Sequence, residues 1–150
     1  NASSGLSTRQ EMKEGFFAWL YNPIARDRLL EKFYNRDKVK DKFWDRETAT
    51  ISTIFGRNIK VDDRRALNYI IQSTTSDILL EQAAQIRSIL KNTKSEIAFL
   101  MHDSIILDFS SEDSGILTNI VDVFSSTRLG RYRANVKIGK NYKDMKDLEL

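Results

Sequence analysis

Asp63-Arg64-Arg65-Ala66-Leu67-Asn68-Tyr69-Ile70-Ile71-Gln72-Ser73-Thr74-Thr75-Ser76-Asp77-Ile78 opens the longest periodic stretch of the chain. Leu67, Ile70, Ile71, Ile78, Leu79, Ala83, Ile86 and Leu90 recur at helical spacing, which predicts one helix reaching about Lys91. Asp62 or Asp63 can cap its start, because a short acidic side chain accepts from the backbone amides that a first turn leaves open. This helix is the spine of the fold, and the flanking sequence reads outward from it.

Upstream, Ser7 with Gln10, or Thr8 with Glu11, offers a capping box for a first helix ending near Tyr21, after a small, polar stretch from Asn1 to Leu6. Met12, Phe16, Trp19 and Leu20 form its apolar side. Asn22-Pro23 reads as an N-cap with proline at the first helical position, starting a second helix anchored by Leu29, Leu30 and Phe33. Asp37 is the expected cap of a third, carrying Val39, Phe43 and Trp44. The helical segment spans about 7–47. From Thr48 to Val61 β-branched residues surround Phe55-Gly56-Arg57-Asn58, the pattern of a hairpin.

Downstream, Ile97-Ala98-Phe99-Leu100-Met101 and Ser104-Ile105-Ile106-Leu107-Asp108-Phe109 flank His102-Asp103, which predicts a buried two-stranded antiparallel hairpin with a polar tip. Asp113 to Ser125 reads as a short amphipathic helix and Tyr132 to Ile138 as a final strand. The fold class is therefore α+β, organised as 1–61, helices then a hairpin, and 62–150, the long helix with the C-terminal elements.

The composition limits the chemistry. At 150 residues, 41% hydrophobic and 30% charged, the chain can bury a core and solvate its surface. A net charge of +3 tolerates a polyanionic partner. There is no cysteine, so disulfides and thiolate metal sites are excluded, and no apolar run approaches the roughly 18 residues of a membrane span. Nor do the first residues read as a secretory leader. The start at Asn1 rather than methionine leads us to expect an incomplete or processed product.

Three constellations stand out. Arg9, Lys13, Phe17 and Tyr21 recur every fourth residue, so a helix aligns two cations and then two rings in one row. Cations suit a triphosphate and rings suit a base and sugar; a solvated helix edge has the same spacing. Arg64, Asn68 and Gln72 repeat the step on the long helix as a line of hydrogen-bond donors. Such donors suit the minor groove, where every Watson–Crick pair presents an acceptor in nearly the same place. The polar edge of an amphipathic helix is the alternative. Asp103, at the tip of an apolar hairpin, invites a hard cation, since magnesium takes one or two carboxylates plus substrate phosphates; aspartate also simply favours turns.

Taken in order, Arg-x3-Lys-x3-Phe-x3-Tyr, Arg-x3-Asn-x3-Gln, apolar-His-Asp, and the tail Val136-Lys137-Ile138-Gly139-Lys140-Asn141-Tyr142 resemble the C-terminal fingers and palm of family A DNA polymerases. The resemblance covers nearly the whole chain. Arg64 to Ile78 is similar to the family's Arg-Ala-x-Asn-x-x-x-Gln-Gly-Thr-Ala-Ala-Asp-Ile run, with Ser73 in place of the glycine.

The resemblance makes 1–61 a fingers segment and 62–150 the long helix and C-terminal palm. It implies that Arg9 and Lys13 hold an incoming deoxynucleoside triphosphate, that Phe17 packs on its sugar and base, and that Tyr21 lies near the templating position. Phe17, rather than tyrosine, implies stronger exclusion of nucleotides lacking a 3′-hydroxyl. Arg64, Asn68 and Gln72 would hold primer-template DNA, and His102 would contact the primer terminus. Asp103 would be one of two aspartates gripping a pair of Mg2+ ions roughly 3.5 to 4 Å apart, with Lys13 assisting catalysis by neutralising the leaving group.

Three departures accompany it. Ser104 stands where glutamate often follows the aspartate, Asn22 replaces the glycine after the tyrosine, and the second metal aspartate must come from an N-terminal portion that lies outside this sequence. The isolated chain is expected to be inactive or nearly so. The expected setting is the cytoplasm of a bacterial or phage-infected cell, or an organelle. A non-catalytic nucleic-acid-binding module, or a subunit of a split polymerase, is the alternative reading.

Overall fold

The computed structural model describes residues 8–149, arranged as an α+β fold of helices and small antiparallel sheets. It divides into two compact units, one up to Thr74 and the other from Thr75. The sequence reading places a division at 61/62, just before the long helix; packing places it inside that helix.

In the first unit, helix α1 runs over Arg9–Tyr21 behind a complete capping box, in which Glu11 N donates to Thr8 Oγ1 at 3.2 Å and Thr8 N donates to Glu11 Oε2 at 2.7 Å. Of its expected apolar side, Trp19 is buried and Met12 is exposed. The Asn22-Pro23 expectation is corrected. Asn22 closes α1, its N–H donating to Ala18 O, and its side chain accepts from Ile24 N at 3.2 Å, so Pro23 lies in a turn. Helix α2 (Arg28–Phe33) begins instead at Asp27, whose carboxylate accepts from the amides of Leu29 at 2.9 Å and Leu30 at 3.0 Å. Leu29 and Phe33 do not anchor it: both are exposed, because a six-residue helix turns little more than Leu30 inward.

Helix α3 (Arg36–Phe43) is capped by Asn35, which accepts from Lys38 N at 2.8 Å; Asp37 sits in the first turn, where a negative charge still favours the helix dipole. Trp44 belongs not to this helix but to strand β1 (Trp44–Asp45), which pairs with β2 (Thr50–Ser52); β2 in turn pairs with β3 (Asn58–Lys60), all antiparallel. The expected hairpin is thus β2–β3, with a third strand added. Gly56 lies in its loop at φ 81°, a conformation that glycine adopts without a Cβ clash.

Ile51, Val61, Ala66 and Ile70 form the buried cluster of this unit, with Phe43, Trp44 and Ile59 packed against it. It joins the sheet to the first turns of helix α4 (Asp63–Ile89), where Asp62 accepts from Arg65 N at 3.0 Å.

Asp45 holds the β1–β2 turn by accepting from Thr48 Oγ1 at 2.8 Å and Glu47 N at 2.9 Å. The Thr48 hydroxyl, then the Glu47 amide, stabilise the carboxylate and push its pKa below the ordinary value. A carboxyl whose pKa is depressed by folding contributes stability above its unfolded pKa and loses it as pH falls through the folded one. Denaturation followed by Trp44 fluorescence should therefore show acid destabilisation that is shallower in Asp45→Asn; identical pH profiles would refute the role.

The second unit packs the later turns of α4 against strands β4 (Glu96–Met101) and β5 (Ser104–Asp108) and helix α5 (Leu117–Ser125). Ile86, Leu90 and Ile120 are its buried centre, lined by Ile97, Ile105 and Leu107 among others. The β4–β5 hairpin has the expected register, Met101 opposite Ser104, with an irregularity between Ile97 and Phe99. It is only half buried, Phe99 being 45% exposed, because its inner face alone meets α4 and α5.

A 3-10 segment (Ser111–Ile116) precedes α5, so the expected Asp113–Ser125 helix is α-helical only from Leu117. Ser95 pins this corner: its hydroxyl donates to Asp113 at 2.7 Å and accepts from Ser110 N at 2.9 Å. The strand expected over Tyr132–Ile138 is shorter, β8 (Val136–Ile138), and pairs with β9 (Lys146–Leu148), while an unexpected small hairpin, β6–β7 (Ser126–Thr127 with Gly130–Arg131), precedes it. Within the expected run only Val136–Ile138 is extended into a paired strand, and 132–135 are irregular. Among the described residues no helix is long and apolar enough to cross a membrane. Asn1 to Ser7, including the Ser7 capping alternative, lie outside the described residues.

Candidate functional site

The three constellations occupy three elements: α1, α4 and the turn between β4 and β5. On α1 the fourfold step does what helical geometry requires. Lys13 Nζ lies 5.9 Å from the centre of the Phe17 ring, and Phe17 lies parallel to Tyr21, at 3° and 5.9 Å between centres. Arg9 and Lys13 are exposed, and Phe17 is 41% exposed.

Like charges four residues apart repel by about 0.2–0.5 kcal/mol, and among the described residues neither cation makes an ion pair. An anion bound to both would relieve that repulsion. Tyr21 is partly withdrawn from water, and burial raises its phenol pKa, so the ring remains neutral.

A residue that the sequence reading passed over holds this helix in place. Arg36 stacks its guanidinium 4.3 Å from the centre of Trp19 and donates to the carbonyls of Trp19, Asn22 (3.0 Å) and Ala25 (2.8 Å). It satisfies acceptors left open where α1 ends, next to Tyr21. Tyr34 and Phe16 complete the aromatic packing, their rings edge-on at 5.5 Å. Nothing in the spacing of Arg36 marks it; it is one of several arginines and lysines alternating with acids between Arg26 and Arg46.

On α4, Arg64 and Gln72 are exposed, and Asn68 is partly buried with its Oδ1 lacking a hydrogen-bond partner among the described residues. A buried polar atom without a partner costs about 1–3 kcal/mol, and Asn68 is the member of the row that carries such an atom among the described residues. Ser73 is buried; its hydroxyl donates to Tyr69 O and its carbonyl accepts from Arg57 at 2.9 Å. The serine is accommodated by bonding back to its own helix.

At the β4–β5 turn, His102 adopts φ 53°, a left-handed conformation in the first position of a two-residue hairpin loop, where glycine is usual. Non-glycine residues held there cost of the order of 1–3 kcal/mol and concentrate at functional sites. His102 and Asp103 are exposed, and the Asp103 carboxylate accepts from Ser104 Oγ at 3.3 Å.

A hard oxygen donor open to solvent fits one corner of a magnesium site. Among the described residues, however, no group of three or more His, Asp or Glu side chains is placed to hold a metal ion. Asp103 would need a carboxylate from outside these residues to hold the ion pair, and the described residues alone do not provide the site. Comparison of the chain with protein-family models, with curated proteins and with solved structures finds no match.

Proposed function

We propose that this chain is the fingers and C-terminal palm portion of a template-directed DNA polymerase, adding deoxynucleotides to a primer when joined to a segment that supplies the second metal carboxylate. The observation that carries the reading is the α1 face. Two exposed cations one turn apart, without an ion pair among the described residues, lead into a parallel pair of the exposed Phe17 and the half-buried Tyr21, an order that matches a triphosphate followed by a sugar and base. The ordered resemblance to family A polymerases supports it, as does the strained His102-Asp103 turn.

In this reading Arg9 and Lys13 bind the triphosphate through charge-assisted hydrogen bonds, and Phe17 packs on the sugar and base. Arg64, Asn68 and Gln72 donate to minor-groove acceptors of the paired duplex. His102 meets the primer terminus. The primer 3′-oxygen forms a bond to the α-phosphorus, the bond to the bridging oxygen breaks, pyrophosphate leaves, and the hydroxyl proton passes to solvent. Lys13 neutralises charge growing on that leaving group, and Asp103 presents a carboxylate to magnesium. When bound, magnesium supplies charge neutralisation and orientation at the reacting phosphates.

Nucleotide titration of the chain tests this reading. A hydrogen bond to a charged group is worth about 1.5–3 kcal/mol, so Lys13→Ala should weaken deoxynucleoside triphosphate binding about ten- to a hundredfold. Duplex affinity should change less than about threefold, since one rim cation contributes little. No nucleotide binding by the unaltered chain at millimolar concentration, or equal binding by Lys13→Ala, would overturn the proposal.

A further inference from the structure

The positive charge of this protein is concentrated in one place. Residues 128–146 hold seven of the 24 lysines and arginines and only one of the 21 acids, Asp144, so the remaining sequence is net negative. Three of the seven are engaged: Arg128 with Glu81, Arg131 with Asp122, and Lys137 with Asp147 at 3.9 Å. Arg133, Lys140, Lys143 and Lys146 are exposed, and among the described residues they make no ion pair.

Three of these four belong to one built loop. Ile138 opposite Lys146 closes the β8–β9 hairpin, which carries Lys140 and Lys143 in its connection. Asn141 shapes that connection by accepting from the amides of Lys143 at 3.0 Å and Asp144 at 3.1 Å. Its amide also donates to the Asp144 carboxylate at 2.7 Å, which occupies the loop's single acid. Gly139 lets the loop close, since a Cβ there would lie 2.9 Å from Asp144 O and Met145 Cα. The loop is seated through Tyr142, whose ring lies 6.2 Å from that of Phe99 and whose hydroxyl is 3.9 Å from Met101 Sδ. Met101 immediately precedes the His102-Asp103 turn.

We infer that the β8–β9 loop is a phosphate-binding ridge, on which Lys140, Lys143 and Lys146 grip the backbone of a nucleic-acid duplex passing beside the His102-Asp103 turn. Ammonium groups three residues apart in sequence, without an ion pair among the described residues, can meet a line of phosphates without reading sequence. The inference rests on charge placement and packing within the second unit, and it does not need the chain to be a polymerase.

Fluorescence anisotropy of a labelled DNA duplex, titrated with the full chain at salt from about 50 to 200 mM, tests it. Replacing Lys140, Lys143 and Lys146 together by alanine should weaken binding at least about tenfold near 100 mM salt. The slope of log affinity against log salt should flatten by about two to three, roughly one unit for each phosphate no longer neutralised by a lysine.

Alanine at the exposed Lys32, Lys38 and Lys60 removes the same net charge elsewhere and should flatten the slope by less than about one. Equal effects of the two triple variants would overturn the ridge, as would failure of the unaltered chain to bind duplex, or a preference for anionic phospholipid vesicles. A ridge confirmed in a chain that binds no nucleotide would leave this inference standing and remove the polymerase reading.

Discussion

If the proposed function holds, Asp103→Ala, in a chain reconstituted with a segment that supplies a second metal carboxylate, is expected to reduce magnesium-dependent primer extension by on the order of a thousandfold. Duplex affinity should stay within about twofold, because the carboxylate repels rather than attracts phosphate. The size of the effect follows from the site's composition. The exposed carboxylate spends only one weak hydrogen bond on Ser104, and there is no cluster of metal-binding groups among the described residues to compensate for its removal. Phosphoryl transfer asks for little covalent help, so if Asp103 positions charge as proposed, its removal would take away most of what a polymerase site supplies. Unchanged synthesis in rapid-quench measurements would discredit Asp103 as a metal ligand and the polymerase reading with it. Abolished synthesis together with abolished duplex binding would overturn the expectation that the substitution spares DNA affinity.

Ile51→Ala should be the most damaging single core change in the first unit. Ile51 is fully buried and central to the cluster that ties β2 to the first turns of α4. Truncating such a side chain costs about 2–5 kcal/mol through lost transfer energy and the cavity left behind, while Ile51→Val should cost about 0.5–1.5 kcal/mol. Trp44 packs against the same cluster, so its fluorescence during urea denaturation reports the destabilisation directly. A cost below about 1 kcal/mol for the alanine variant would show that the site collapses freely. It would also remove the claim that this cluster holds the hairpin to the helix.

The elements were most legible where one side-chain pattern had one physical solution. The Leu67–Leu90 periodicity, the Thr8/Glu11 box and the paired apolar runs around His102-Asp103 each have a single low-energy conformation, and the structure has all three. The starts of α2 and α3 were not legible. Asn22, Asp27, Asn35 and Asp37 are all competent caps, and their side-chain chemistry does not distinguish Asp27 and Asn35, which the structure uses. The end of the chain was misread for the opposite reason. The pairing of Val136–Ile138 with Lys146–Leu148 depends on a Gly139 close approach that no periodicity announces.

The candidate site divides in the same way. Sequence by itself determined that Arg9, Lys13, Phe17 and Tyr21 share one face, and Arg64, Asn68 and Gln72 another, because helical geometry fixes where every fourth side chain falls. It also placed His102 and Asp103 in a turn. Only the tertiary structure decided that Phe17 and Tyr21 lie parallel, that Arg36 secures the end of their helix from 17 residues away, and that Tyr142 seats a lysine-bearing loop beside Met101. Those arrangements join residues distant in sequence, and their energies come from burial and hydrogen bonding that exist only once the chain has folded.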